Sequence, residues 1–184
     1  MAAPFMASLF VTLLAAKPCA ADPQYSAGLL VGLGHESATD RDGDNEFLLG
    51  ARTEALFGRD SSQQFAVGPY LSALSSGFDD LSVGGGASLL VPWTDPIPAV
   101  VSVGPAAHWG DLGWAPAVVG QLYLGSRTYN FSGKYSVAAG FVLGVKRVFN
   151  DAGERTIYLA AHMDGALLSL PFIALFEWLR PRAD

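Results

Sequence analysis

Strict alternation of large apolar residues with small or polar ones constrains this chain more than any other feature. From Tyr25, one parity reads Tyr25, Ala27, Leu29, Val31 and Leu33, and the other reads Ser26, Gly28, Leu30, Gly32 and Gly34. Successive side chains leave a pleated backbone on opposite faces, so a repeat of two residues marks a strand whose sides meet different environments. A helix returns to one face after three or four residues and would scatter the same set around its circumference.

The pattern recurs along the chain. After a polar stretch from Ser37 to Glu46, Phe47, Leu49, Ala51, Thr53, Ala55 and Phe57 form an apolar face, with Arg52 and Glu54 together on the other. Past a turn over Gly58 to Gln63, Phe65, Val67, Pro69, Leu71 and Ala73 oppose Gln64, Ala66, Gly68, Tyr70 and Ser72. A fourth strand sets Leu81, Val83, Ala87, Leu89 and Val91 against Ser82, Gly84, Gly86 and Ser88. The proline-dense run Trp93 to Pro98 predicts a break. A fifth strand follows with Val101, Val103 and Ala107 against Ser102, Gly104 and His108, then a turn over Trp109 to Gly113. Between Trp114 and Arg127 the alternation loosens, because Val119 and Gly120 contradict the phase set by Val118, Leu122 and Leu124. The turn Thr128 to Lys134 leads to a seventh strand, in which Val137, Phe141, Leu143 and Val145 oppose Ser136, Gly140, Gly144 and Lys146. Asn150 to Glu154 is a strong turn signal before the eighth, about Arg155 to Met163.

Composition says what the large parity faces. Hydrophobic residues make up 51% of the 184 positions and charged residues 15%, and the mean hydropathy is +0.31. That is apolar for a water-wetted surface, yet no segment after residue 21 has the roughly 18 consecutive apolar residues of a spanning helix. The small parity is mainly Gly, Ser and Ala. A soluble barrel needs Lys, Glu, Asp and Thr outside, so the small face is the interior and the large face meets lipid.

Residues 1–21 read as a cleaved export signal, with the apolar core Ala7 to Ala16 followed by small residues, although Met1 to Met6 lacks the usual positive charge. Cys19 lies within that signal, and Lys17 and Pro18 are poor residues before a lipidated cysteine; its removal leaves no thiol or disulfide chemistry. The net charge of −6, with basic residues clustered only at Lys146–Arg147 and Arg180–Arg182, argues against a nucleic-acid partner.

Eight strands of about nine to eleven residues suit an up-and-down antiparallel barrel crossing a bilayer, with both termini on one side. Tyr25, Phe47, Phe57, Phe65, Trp93, Trp109, Trp114, Tyr135 and Phe149 fall near strand ends, where amphipathic rings favour a lipid interface. On this pattern, over about Tyr25 to Met163, the chain resembles the small eight-stranded outer-membrane barrels of the OmpA/OmpX type. The resemblance implies one domain over residues 22–184, placement in the outer membrane of a Gram-negative bacterium, a monomer contacting membrane lipids, and a lumen filled by side chains. Three features depart from that family: Pro69 and Pro105 lie inside strands, the loops after the first are short, and the chain ends in Arg182, Ala183 and Asp184 rather than in an aromatic strand end. The apolar segment 165–180 reads equally as a short C-terminal helix, with Ser169 before Pro171 as its start, or as the last strand.

Little chemistry is legible. Asp40, Asp42 and Asp44 suggest a surface calcium loop, but Asn45 stands where the turn glycine belongs and Ala51 where the bidentate acid belongs, so a solvated acidic loop is expected. Arg52, Glu54 and Lys146, with His108 and His162, fall on the interior parity and predict a buried polar network, since an unpaired charge there is costly. His162 and Asp164 offer parts of a Ser/His/acid site without a nucleophile elbow, and the Gly84–Gly86 run lacks the helix start and lysine of a phosphate loop. The sequence points to no cofactor. The expectation is a non-enzymatic outer-membrane barrel of structural, adhesion-like or small-solute interaction role. Its rivals are an exported, soluble, lipocalin-like barrel with an apolar ligand and, third, an outer-membrane lipid-modifying hydrolase or acyltransferase.

Overall fold

A computed structural model describes residues 22–39, 41–95, 97–111, 113–128, 135–169 and 176. Eight antiparallel strands, each paired to its neighbours in sequence, close into a single barrel. They are β1 (Gln24–Ala38), β2 (Arg41–Leu56), β3 (Ala66–Ser76), β4 (Asp80–Thr94), β5 (Ile97–Gly110), β6 (Gly113–Arg127), β7 (Ala138–Val148) and β8 (Arg155–Asp164). The seam runs between β1 and β8, from Gly28↔Asp164 to Ser37↔Arg155.

The parity read from the sequence is the parity of the wall. Leu33, Leu71, Val103, Phe141 and Leu159 are more than half exposed, whereas Ser26, Ser72, Ser88, Ser102 and Thr156 are buried. Glycine on the inner parity makes room for large neighbours: a methyl group at Gly144 would land on the ring of Tyr158, and one at Gly28 would land on His162. Small inner residues are therefore the steric complement of a few bulky ones in a narrow lumen.

Several boundaries differ from expectation. The acidic stretch Ser37 to Glu46 is mostly strand, because β1 and β2 continue past the apolar belt and pair Gly34↔Glu46 and Glu36↔Asp44. The strands accommodate these charges, Asp44 exposed to water and Glu36 facing Lys146 inside the lumen, so polarity was a misleading sign of a loop. The proline-dense break narrows, since Ile97 already pairs with Thr94, and so does the turn after Trp109, because Gly110 pairs with Gly113. The irregular phase of β6 resolves with Val119, Gln121 and Tyr123 all buried inward: Val119 is an apolar residue on the inner face and Gly120 a small one on the outer.

The two strand prolines sit where the ladder is interrupted. The β2–β3 pairing stops at Glu54↔Tyr70 and resumes at Phe57↔Val67, which exchange both backbone hydrogen bonds. Alternation along the ladder makes Ala55 and Pro69 the next hydrogen-bonding pair, and proline has no N–H to give. On the β4–β5 ladder the gap falls between Gly84↔Ala106 and Ala87↔Val103, where Gly85 and Gly86 face Pro105 and Gly104.

The chain leaves the barrel at Asp164. Residues 165–169 are helical, and the Asp164 carboxylate accepts from the Ala166 N–H at 2.8 Å, capping that helix. Residues 165–169 thus continue as helix, and β8 is the last strand among the described residues; the remainder of 165–180, except for the helical Phe176, and the signal over residues 1–21 lie outside them. Because β8 ends against Gly28, the start of β1 would lack a neighbour. Tyr135 and Ser136 fill the gap: Tyr135 bridges Tyr25, and the Ser136 N–H donates to the Tyr25 carbonyl at 2.8 Å.

Overfilling the lumen is expected to be costly where the outer wall is not. Gly144→Val should lower unfolding stability in urea by about 1–3 kcal/mol by displacing Tyr158, whereas Gly120→Val, whose side chain would meet open space, should leave the midpoint unchanged.

Candidate functional site: a polar network inside the barrel

Arg52 and Glu54 are two residues apart on β2 and so share the inner face. The Arg52 Nη2 donates to Glu54 Oε2 at 2.8 Å, and both side chains are buried. Across the lumen, Arg127 at the end of β6 pairs with the other oxygen of Glu54, so a single carboxylate bridges two guanidinium groups. Ser26 on β1 accepts from Arg127 at 3.2 Å and donates to Glu54 at 3.3 Å. The Arg52 fork also reaches Ser102 at 2.6 Å, Ser88 at 3.2 Å and the amide oxygen of Gln121, and its guanidinium stacks 4.8 Å from the Tyr70 ring. Gln121 passes the network on by donating to the Tyr158 hydroxyl at 2.7 Å. One connected set thus joins β1, β2, β3, β4, β5, β6 and β8 across the interior.

The five residues expected to form one network are separated by the structure. Lys146 and His108 lie toward the end opposite the chain termini, past Arg52 along the barrel. There Lys146 faces Glu36 at 3.8 Å, and Glu36 accepts from the Thr156 hydroxyl at 3.1 Å. His108 lies 3.5 Å from Glu154 and 3.9 Å from Asp80, with its other ring nitrogen 3.0 Å from the Ser82 hydroxyl. His162 is buried edge-on against Tyr123, and its Nδ1 has no protein hydrogen-bond partner. The correction has a simple geometric cause: parity says which residues point inward but not at which height along the axis.

Arg127 is the residue that sequence reasoning missed. It continues the parity of Gln121 and Tyr123, so the phase set by Val118, Leu122 and Leu124, carried through to the end of β6, places it inside. On the rim below it, Tyr135 lies 2.8 Å from Asp164 Oδ1 and accepts from the Ala27 N–H at 3.3 Å. Burial, and then the bond to Asp164, raise the Tyr135 phenol above its ordinary pKa, so it stays protonated at neutral pH. Asp164 is therefore occupied as a helix cap and as the partner of Tyr135.

The described part of the calcium-like run lies on the extended backbone of β2. Asp40 lies outside the described residues, and the strand backbone spaces Asp42 and Asp44 about 7 Å apart instead of curling them round one ion. Among the described residues no group of three His, Cys, Asp or Glu side chains is placed to hold a metal.

No protein-family model matches the chain, and no curated protein matches it significantly. Among solved structures, the crystal structure of a LolA superfamily protein, NE2245 from Nitrosomonas europaea, is similar over 76% of this chain and 86% of that one, at 9% identity and a TM-score of 0.25. A score that low carries no argument about fold or function.

Removing the shared carboxylate would strand two buried cations. Glu54→Ala is expected to cost about 3–5 kcal/mol, read as a loss of unfolding midpoint in detergent. Replacing Arg52, Glu54 and Arg127 together by Met, Leu and Met should restore most of it. An unchanged midpoint for Glu54→Ala would contradict the network.

Proposed function

We propose that this chain is an integral outer-membrane β-barrel protein with a plugged lumen, exported behind a cleaved signal, whose role is structural, adhesion-like or one of small-solute interaction rather than catalytic. The observation that carries the proposal is the outer wall. Apart from His35, Arg147 and Arg155 at the edge away from the chain termini, the described residues place no ionisable side chain on the outward parity of any strand between the two rings of aromatic residues. The one threonine there, Thr53, donates its hydroxyl to the Ser26 carbonyl at 3.1 Å, as a polar group facing hydrocarbon must.

The aromatic rings support the same reading. At the end carrying the chain termini stand Tyr25, Phe57, Phe65, Trp93 and Tyr135; at the other stand Phe47, Phe78, Trp109, Trp114 and Phe149, and all ten are exposed. Phe47 and Phe57 are ten residues apart on one continuous run, which for a tilted strand gives about 25 Å, the height of a bilayer's apolar band. Phe78 holds a φ of 69°, rare for a bulky residue, and stacks on Phe47 with ring centroids 5.7 Å apart. Strain of that kind persists where the surroundings demand the side chain.

A second reading is an exported soluble barrel that binds an apolar ligand inside. Its supporting observation is the buried apolar set that includes Leu30, Leu48, Leu74, Leu90 and Val142. That reading requires an outer wall compatible with water and an interior free of ion pairs where the ligand sits.

Washing cell envelopes with carbonate separates the two. The membrane reading expects the mature protein to stay with the pelleted membranes and to run as a faster, compact band on gels when it is not boiled. Recovery in the aqueous phase without detergent would overturn it in favour of the soluble binder.

A further inference from the structure

Arg147 on β7 and Arg155 on β8 are directly opposed across the antiparallel ladder. Both belong to the outward parity and are exposed, immediately beyond Val145 and Ile157 at the edge of the apolar wall. Like charges facing each other across a ladder repel, and a β protein would ordinarily place a carboxylate beside them. None of the ion pairs among the described residues includes either guanidinium. Two of the nearby acids, Glu36 and Glu154, face the lumen, where they meet Lys146 and His108. Arg147 instead lies 5.8 Å over the ring of Phe149, a member of the aromatic ring at this end. The flanking outward positions on β1 are Ser37, paired with Arg155, and His35, paired with Ile157.

The geometry points to a surface site for the phosphate of an anionic lipid headgroup, held between Arg147 and Arg155 in the leaflet at the end opposite the chain termini. This inference rests on the membrane reading above. Three features of the pair select that occupant. Two guanidinium forks present parallel N–H donors that match phosphate oxygens. Their place at the boundary between apolar wall and aromatic ring is the depth at which headgroups lie. An anion between them also converts the repulsion of the pair into attraction to a shared partner, which explains why no side-chain carboxylate is needed.

Native mass spectrometry of the full mature chain tests the site, after extraction in a neutral detergent and incubation with mixed phosphatidic acid and phosphatidylcholine. The wild type should retain phosphatidic acid preferentially, and Arg147→Gln with Arg155→Gln should weaken that retention about tenfold or more. Each single variant should fold, because it removes a repulsion, and in neutral detergent without lipid should unfold no lower than the wild type. Equal retention by wild type and double variant, or no preference in the wild type, would overturn the site. Recovery of the chain in the carbonate supernatant would overturn the membrane reading and the site with it, whereas a membrane-embedded protein whose double variant still retains phosphatidic acid overturns the site alone.

Discussion

Closing eight strands on themselves is the constraint on which the rest of this molecule depends. Closure removes both sheet edges, and it also leaves a lumen only side chains wide. Everything pointing inward must then fit a small cross-section, and its charged groups must find partners there. The Arg52–Glu54–Arg127 triad meets that demand because one carboxylate serves two cations, and Ser26, Ser88, Ser102 and Gln121 take up the remaining donors. Inner glycines follow from the same limit: the Tyr158 ring occupies the space above Gly144. Thus the alternation visible in the sequence has two separate causes, steric on the inner face and environmental on the outer.

The fold was legible because its period is two and its outer residues are large. Strand parity survives even where boundaries do not, and the end of β8 at Asp164 came within one residue of expectation. Boundaries failed where a local signal competed with pairing. Glu36, Asp44 and Glu46 look like loop residues, yet in strands that extend beyond the apolar belt Asp44 is exposed to water and Glu36 is paired with Lys146. Pro98 looks like a breaker, yet β5 begins before it, with Ile97 paired to Thr94. Pro69 and Pro105 were read correctly as costing ladder hydrogen bonds, and the gaps opposite Ala55 and Gly85 show where that cost falls.

The site was legible only in part, for a reason that is also geometric. Arg52 and Glu54 could be paired from sequence because they share a face two residues apart. Arg127 could not, since its contact with Glu54 depends on how far β6 is shifted around the barrel. The same missing information grouped Lys146 and His108 with Arg52, whereas the structure gives them Glu36, Glu154 and Asp80 as partners. Stagger between strands is set by the whole closed sheet and leaves no mark on a single strand's sequence.

The central claim is that the large parity meets lipid and the small parity does not. Nitroxide labels at cysteines introduced one at a time along β3 and β7 of the protein in lipid vesicles measure this directly. Labels at Val67, Leu71, Phe141 and Leu143 are expected to be accessible to oxygen and shielded from a water-soluble nickel chelate. Nickel accessibility at those four positions equal to that of a label at Asp151 in the exposed β7–β8 turn would contradict the account.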